Sequence, residues 1–438
     1  MPEPYYPLIV RPRFIVNARK FWRQCHLLLA LGLGLVFALI GLTGSLSVYR
    51  EELDSLFNPQ LRIDIPRDGA PLPLDKILAS LRTAHPDRHG AWTLEMPLAP
   101  DRPLTAWFDK PKESVDAFYA PLMVSINPYT GAVLDSRLWG QTFATWLLDL
   151  HAQLQLDAAG RNAMAILGSL LMLSTVSGLY LWWPGWRNLA GAFRVRRDGS
   201  LIGLIFDLHR WLGLAAAGFL LLLAFTGLHL AYPPLLESLT SAEGMGHGDA
   251  GPNVRSTAVP NDRPVSVGEA ILVARGPFPS SEVRRVTTPA GELGVYRVNL
   301  RQRDEINQHH PFTTVWVDRW SGQIRDVRNP HRFSMGQTFT VWLWPLHTGE
   351  AVGGGGRFLW FCAGLTPTLL FVSGLLHWLY RHGWIADRQV DWAALADRTR
   401  RKTAGSARRI GAAWAALRPR IQTWSGNAAR EILNRLRH

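Results

Sequence analysis

Six histidines near the ends of long apolar segments are the residues most able to do chemistry. They are His26, His151, His209, His229, His347 and His377. An ionisable side chain beside hydrocarbon is costly unless something binds it, so histidines in this position indicate a ligand or a buried partner. Paired imidazoles between helices can bind a metal ion or the iron of a haem.

An internal repeat relates two of these histidines. His151 corresponds to His347 at a constant offset that holds without a gap over the following apolar segment. At the same offset, Ser177-Gly178-Leu179 recurs as Ser373-Gly374-Leu375. Such self-similarity indicates that the two halves of the chain share one architecture.

A second pair belongs to the same repeat. His26 corresponds to His209, and each is followed at the same spacing by a Thr-Gly dipeptide. The dipeptide is Thr43-Gly44 in the first half and Thr226-Gly227 in the second. The match is looser than that around His151 and His347, yet it extends the repeat to the preceding apolar segment.

Four apolar segments must position these histidines. They cover residues 27–46, 163–183, 211–230 and 358–379, and each is close to the about 20 residues that a membrane-spanning helix needs. The first segment has no A-x-A-like cleavage site and is interpreted as a retained span rather than a signal peptide. The predicted fold class is an integral membrane α-helical protein, with a four-helix bundle built as two tandem repeats.

The repeat predicts which residues lie at the same depth in the membrane. Each half contributes an even number of spans, so the halves insert in the same orientation and corresponding residues lie at equal depth. Symmetry then pairs His26 with His209 at one face and His151 with His347 at the other. This arrangement predicts two b-type haems per chain, each with two axial histidines.

The two unmatched histidines leave the ligand set open. His229 and His377 fall where the other half has leucine, which gives three candidates at each face. They are alternative haem ligands, proton relays or contacts to a propionate. Three imidazoles per face could instead hold copper or zinc, although no cysteine or carboxylate of ligand-like spacing supports this alternative.

Other polar residues in the repeat have simpler interpretations. Arg161 and Arg357 recur at the start of their spans and are predicted either to pair with haem propionates or to extend towards the membrane surface. The loop histidines are interpreted as solvated; they are His247, His309, His310 and His331.

Charge placement predicts the orientation. The net charge of +13 comes largely from the N-terminus, the short middle loop and the C-terminal tail, and basic segments stay in the cytoplasm. This explanation leaves no need for nucleic-acid binding. The predicted divisions are 1–25 cytoplasmic N-terminus, 26–49 first span, 50–145 periplasmic module, 146–184 interfacial segment and second span, 185–208 cytoplasmic loop, 209–232 third span, 233–345 periplasmic module, 346–380 interfacial segment and fourth span, and 381–438 basic cytoplasmic tail.

The two long loops also repeat each other. Each begins with a predicted helix, at 74–84 and 267–274, and continues with several strands. Each ends in a hairpin, at 124–135 and 315–326, whose turn contains a glycine that can take positive φ. The sequence therefore predicts two α+β modules.

The motifs together resemble the PepSY-associated transmembrane family. The resemblance rests on D-L-H-R-W-L-G-L at 207–214, S-G-L-Y-L-W-W-P at 177–184 and the two hairpins, and it covers roughly residues 15–385. It implies PepSY modules between the spans, a bacterial inner-membrane location and a link to haem-containing ferric-siderophore reductases. The histidines that this family carries before its second and third spans correspond to His151 and His209. Some relatives carry a C-terminal flavin reductase domain, whereas here a short basic tail follows the fourth span.

The expected function is reduction of a periplasmic ferric siderophore, with electrons from an unidentified cytoplasmic or quinol donor. No G-x-G-x-x-G fingerprint occurs, which disfavours direct use of NAD(P)H. The first alternative is a non-enzymatic module that binds peptides or regulates a protease. A transporter is disfavoured because Pro367 is the sole predicted mid-membrane interruption.

Overall fold

The computed structural model describes residues 18–67, 69–192, 200–240, 252–259, 263–307 and 309–388, with the single residues 242 and 406. Several predicted features lie outside these residues. They are the first part of the N-terminus, the middle-loop arginines 194, 196 and 197, His247 and almost all of the basic tail.

Helices account for most of the described chain. They are α1 (Ala18–Gly32), α2 (Gly34–Ser47), α3 (Arg50–Phe57), α4 (Leu74–Ala84), α5 (Phe143–Gln153), α6 (Asp157–Trp182), α7 (Leu189–Ala192), α8 (Leu201–Ala231), α9 (Pro234–Thr240), α10 (Val267–Arg275), α11 (Met335–Thr348) and α12 (Gly353–Arg381). The predicted loop helices at 74–84 and 267–274 are confirmed as α4 and α10.

Among the described residues, three helices are long and apolar enough to cross a membrane. They are α6, α8 and the segment Glu350–Arg381 that contains α12. The bent pair α1 and α2 adds a fourth candidate if the two helices count as one span. The chain is therefore a multi-pass membrane protein.

The first predicted span is not one straight helix. Helices α1 and α2 meet at an angle of 61° around Leu33, which lies between Gly32 and Gly34. Glycine costs about 1 kcal/mol relative to alanine inside a helix, so two glycines in three residues weaken the helix at this point. The expectation that Pro367 is the sole mid-membrane interruption is therefore wrong.

Small residues bring the spans into close contact across the two halves. A Cβ atom at Gly364 in α12 would lie 3.1 Å from the carbonyl oxygen of Gly41 in α2. At the corresponding positions, a Cβ at Gly168 in α6 would lie 3.1 Å from the carbonyl oxygen of Ala224 in α8. Small residues at such contacts let helix backbones approach closely in a membrane. The two interfaces repeat each other.

Eight antiparallel strands form a separate sheet domain. They are β1 (Thr93–Glu95), β2 (Leu104–Phe108), β3 (Leu122–Ile126), β4 (Val133–Leu138), β5 (Glu282–Thr287), β6 (Val295–Arg301), β7 (Thr314–Asp318) and β8 (Ile324–Arg328). The strand order is β4-β3-β2-β1-β5-β6-β7-β8. Each predicted hairpin is present, and its glycine, Gly131 or Gly322, takes positive φ.

The two predicted modules share this one sheet. Strands β1 and β5 pair at its centre, where the hydroxyl oxygens of Thr93 and Thr287 lie 2.9 Å apart. One hydrophobic core joins residues of both halves, including Leu81 from α4 and Ala270 from α10. Sequence periodicity identified the strands but not the pairing of β1 with β5. Any free strand edge can pair with another, so the residue pattern of a strand does not define its neighbour in the sheet.

Among the described residues, a second compact unit includes the start of α8 as far as Leu208 and the chain from Leu376 to Arg388. Within it, the backbone N–H of Leu201 donates to the carbonyl oxygen of Arg388 at 3.0 Å. The N–H of Ile202 donates to Asp387 Oδ1 at 3.1 Å. These bonds anchor the start of α8.

Candidate functional site

His26 is held by a Ser-Gly dipeptide on a neighbouring helix. Its Nδ1 lies 3.0 Å from both Ser177 Oγ and the Ser174 carbonyl oxygen in α6. A Cβ at Gly178 would lie 3.1 Å from His26 Cε1. The absence of a side chain at Gly178 therefore makes room for the imidazole edge.

His209 has the same surroundings in the other half of the chain. Its Nδ1 lies 2.9 Å from Ser373 Oγ in α12, and a Cβ at Gly374 would lie 3.3 Å from His209 Cε1. His26 lies in α1 and His209 lies in the first part of α8.

His347 repeats this arrangement nearer the sheet. The Nδ1 atom of His347, in α11, lies 2.9 Å from Thr226 Oγ1 in α8. A Cβ at Gly227 would lie 3.2 Å from His347 Cε1. Thr226-Gly227 thus contacts His347 in the same way as Ser177-Gly178 contacts His26.

His151 has a different hydrogen-bond partner from that of His347. Its Nδ1 lies 2.9 Å from the carbonyl oxygen of Ile40 in α2 rather than from a hydroxyl. Thr43 instead donates its own hydroxyl to the carbonyl oxygens of Leu39 and Ile40. A Cβ at Gly44 would lie only 2.6 Å from His151 Cε1, the tightest of the four contacts.

These hydrogen bonds favour one tautomer of the neutral rings. The hydroxyls of Ser177, Thr226 and Ser373 each have a backbone carbonyl within 2.7 Å that takes their single hydrogen. The carbonyl oxygens of Ser174 and Ile40 can only accept, so His26 and His151 donate from Nδ1. At His209 and His347 the same tautomer lets the hydroxyls of Ser373 and Thr226 keep their hydrogen bonds to the carbonyls. With hydrogen on Nδ1, the nitrogen that can ligate a metal is Nε2.

Two of the rings face each other. The ring centroids of His151 and His347 lie 6.1 Å apart with an angle of 35° between their planes. The two histidines come from α5 and α11, the helices that precede the second and fourth spans. The structure therefore brings together the symmetric pair that the repeat predicts at this face.

Comparison with known families shows the family to which the chain belongs. The family model described as the PepSY-associated TM region matches residues 23–381. The chain belongs to the PepSY-associated transmembrane family. This confirms the resemblance drawn from its motifs.

Part of the chain is also similar to an individual bacterial protein. An uncharacterized protein of Pseudomonas aeruginosa is 38% identical over 81 residues, which make up 18% of this chain and 20% of that protein. The match thus spans about a fifth of the relative's length.

The two unmatched histidines of this PepSY-associated protein have other environments. His229 in α8 is 2% exposed, and its Nδ1 has no hydrogen-bond partner among the described residues. His377 stacks on Phe206, with ring centroids 4.4 Å apart. The other four histidines each contact a glycine. Neither His229 nor His377 is among the nearest neighbours of a Cβ built at those glycines, which are Gly44, Gly178, Gly227 and Gly374.

The repeated arginines have different partners. Arg357 forms an ion pair with Glu52 at 2.8 Å and donates to the carbonyl oxygen of Val48 at 2.7 Å. Arg161 donates to the carbonyl oxygen of Leu230 and lies over the ring of Phe118, without an ion pair among the described residues. A role for either in binding propionates stays a prediction.

His309 is not solvated as predicted. It lies between two carboxylates, with Nε2 3.1 Å from Glu51 and Nδ1 2.9 Å from Glu350. Burial lowers its pKa, but hydrogen bonds to Glu350 and Glu51 outweigh burial and raise the pKa of His309 to about 9. The hydrogen bond from His309 lowers the pKa of Glu51 to about 2. This charged triad ties the sheet domain to the helices beneath it.

A mononuclear metal site is not formed by the residues that the structure describes. No group of three or more His, Cys, Asp or Glu side chains among them lies close enough to hold a metal ion. The three-imidazole alternative for copper or zinc therefore has no structural support in this part of the chain.

Sequence reasoning missed the residues that support the histidines. The repeated Ser-Gly and Thr-Gly dipeptides were visible as matches, yet their role needs the neighbouring helix to be placed. The triad of Glu51, His309 and Glu350 gave no repeat signal, because it joins three segments that are distant in sequence.

Proposed function

We propose that this chain is a di-haem electron-transfer protein of the bacterial inner membrane that reduces a periplasmic ferric siderophore and so releases Fe(II) for uptake. The proposal includes two tandem repeats, cytoplasmic termini and a periplasmic sheet domain of the PepSY type. The electron donor would be a quinol or a cytoplasmic reductant.

The chemistry of the donor set carries the proposal. In all four symmetric histidines an oxygen that can accept a hydrogen bond lies within 3.0 Å of Nδ1, and a metal-ligating histidine characteristically donates its second nitrogen to such an acceptor. An imidazole nitrogen lies about 2 Å from a bound metal, so opposing ligands have ring centres roughly 6 Å apart. The separation of 6.1 Å between the rings of His151 and His347 fits two imidazoles that would hold one haem iron.

The residues of the chain then have distinct tasks. His151 with His347, and His26 with His209, would hold haem iron, which supplies one-electron transfer when bound. The hydroxyls of Thr226 and Ser373 fix ring orientation, and the adjacent glycines admit the rings. His229 and His377 remain alternative ligands.

Reduction explains how iron would leave its chelate. A siderophore offers hard oxygen ligands, which suit Fe(III) better than Fe(II). One electron from the donor, passed through the protein, converts bound Fe(III) to Fe(II) and weakens the complex. The chelate would be met on the side of the sheet domain, where His151 and His347 lie nearest.

A pyridine haemochrome assay on the purified full chain tests the proposal. The expected result is about two b-type haems per chain, with reduced spectra typical of bis-histidine ligation. Protein that is folded, as shown by its helical circular dichroism, yet contains no haem after expression with haem precursor would overturn it.

The peptide-binding alternative would use an edge strand of the sheet. Strand β8 is one such edge, and it carries Arg325, Asp326 and Arg328. Charged side chains on an exposed edge discourage the addition of another strand. This observation counts against the addition of a peptide strand at β8.

A further inference from the structure

Four arginines lie on the paired strands β5 and β6. They are Arg284 and Arg285 on β5 and Arg297 and Arg301 on β6, and we call them the guanidinium cluster. Side chains alternate between the faces of a strand, so Arg297 and Arg301 share one face of β6. Arg285 and Glu95 are direct cross-strand partners on that same face, since Arg285 pairs with Asn299 on β6.

This face turns towards the membrane helices. Trp107 pairs with Met123, and Met123 pairs with Arg137, so Arg137 lies on the face that carries Glu95 and Arg285. Arg137 forms an ion pair with Asp54 of α3 at 2.9 Å. Helices α4 and α10 cover the opposite, apolar face with the hydrophobic core.

A chain of contacts joins the cluster to the facing histidines. Glu95 forms an ion pair with Arg285 at 2.7 Å and accepts a hydrogen bond from Trp107 Nε1 at 2.8 Å. Trp107 packs against Trp139, with ring centroids 6.0 Å apart. Trp139 Nε1 donates to Oδ1 of Asp149 at 2.8 Å, two residues before His151 in α5.

Arg284 is the least satisfied member of the cluster. It occupies a β-bulge, is 5% exposed, and its best contact is a long one from Nη1 to the carbonyl oxygen of Pro97 at 3.4 Å. Its Nε and Nη2 are buried without a hydrogen-bond partner among the described residues. Burial lowers the pKa of Arg284, although Glu95 and Glu282 act to raise it. A buried charge with unpaired donors is costly, so an anionic ligand would stabilise it.

The ion pairs of Arg285 and Arg301 differ in how well they compensate the charge. Arg285 is matched by Glu95, and Arg301 by Glu282 at 3.3 Å. The carboxylate of Glu282 is 70% exposed, so it compensates Arg301 weakly. Nε atoms of Arg285 and Arg301 are also buried without a hydrogen-bond partner among the described residues.

We propose that the guanidinium cluster binds a negatively charged Fe(III) chelate with carboxylate or phenolate oxygens, so that the substrate of the proposed reductase is an anionic siderophore. Planar guanidinium groups bind such oxygens by paired, charge-assisted hydrogen bonds. This inference rests on the proposed function for the identity of the ligand. A neutral trihydroxamate chelate would leave the charge of Arg284 unmatched.

Binding of redox-inert gallium complexes to the purified full chain tests this inference. Ga(III) citrate is the anionic probe and a Ga(III) trihydroxamate is the neutral probe, each titrated by calorimetry. The anionic probe is expected to bind more tightly, with an affinity that falls as salt rises. Hydrogen bonds to charged groups contribute about 1.5–3 kcal/mol, so R284M and R301Q are each expected to weaken binding about 10- to 100-fold.

Matched variants keep the test decisive. R301Q is the safer change because its partner Glu282 is exposed, and it decides the matter if R284M fails to fold. R263Q removes the same charge from a side chain that is 84% exposed and should leave the affinity within about twofold. Unchanged affinity in R301Q, or equal binding of the neutral probe, would overturn the anion site. Tight gallium binding by a protein that cannot reduce the iron chelate would instead remove the reductase function and leave the site standing.

Discussion

His151 and His347 lie ring to ring, with centroids 6.1 Å apart, although they belong to different halves of the chain. The Nδ1 atom of each ring lies 2.9 Å from an oxygen on a span of its own half, the carbonyl of Ile40 or the hydroxyl of Thr226. The ring positions are therefore set by the contacts of α5 with α2 and of α11 with α8. A ligand that bridges the two rings would join the two halves of the protein.

Replacing the symmetric histidines should remove haem in two steps. His151→Ala or His347→Ala should remove about half of the haem, and His26→Ala or His209→Ala the other half, because each pair would hold one group. His229→Ala and His377→Ala should preserve haem content. Haem per chain is measured by the pyridine haemochrome assay. Greater loss in the last two variants than in the first four would show that the ligand set is different.

A methyl group on the glycine that faces His151 should displace the ring. A Cβ at Gly44 would lie 2.6 Å from His151 Cε1, whereas a Cβ at Gly218 would meet nothing within 4 Å. Gly44→Ala should therefore lose about half of the haem, and the matched control Gly218→Ala should lose none. Haem content and the absorption spectrum of the purified variants are the measurements. Full haem content in Gly44→Ala would contradict the placement of His151 as a ligand.

The hydroxyl of Thr226 should support His347 as a ligand. Thr226→Val keeps the shape of the side chain but removes the hydroxyl oxygen that lies 2.9 Å from His347 Nδ1. Loss of such a supporting hydrogen bond typically weakens metal binding by about 10- to 100-fold. Haem should transfer faster from the Val variant to an excess of apoprotein acceptor, and Thr226→Ser should behave as the parent does. Identical transfer rates in all three proteins would rule out this role.

The triad around His309 should make stability depend on pH. The pKa of His309 is raised from 6.5 to about 9, so its stabilising contribution is complete below pH 6.5 and is lost as pH rises through 9. The pKa of Glu51 is lowered from 4.5 to about 2, so its contribution is complete above pH 4.5 and is lost as pH falls.

Thermal unfolding in detergent between pH 6 and pH 9 checks this expectation. The parent protein should lose thermal stability across this range, and His309→Gln should show a flatter profile because it has no charge to lose. His331→Gln is a suitable control, since His331 is 53% exposed and its nearest carboxylate lies 3.5 Å away. Parallel profiles in the parent and His309→Gln would remove the triad as the cause.

The sequence predicted the helices and strands better than the contacts between them. Hydrophobic length identified the spans, and alternation with turn glycines identified the hairpins around Gly131 and Gly322. These features are local, so they follow from residue types alone. The bend at Leu33 and the pairing of β1 with β5 were not predicted, because both depend on packing between distant segments.

The candidate site shows the same division. The repeat predicted that His151 and His347 would pair, since symmetry makes a geometric statement without coordinates. It did not predict that Gly44 and Gly227 would lie against those rings, nor that His309 would bridge Glu51 and Glu350. These contacts require the rotation of each helix and the path of each loop, which a single sequence does not define.

Stopped-flow mixing of reduced protein with a ferric siderophore tests electron delivery directly. The protein is reduced chemically or with a quinol, and Fe(II) is trapped by a ferrous chelator while the haem spectrum is followed. The expected result is reoxidation of the haem with matching formation of Fe(II), and loss of this step in His151→Ala and His347→Ala while the remaining haem stays reducible. Haem that stays reduced across a panel of ferric siderophores, anionic and neutral, would contradict the proposed reductase function.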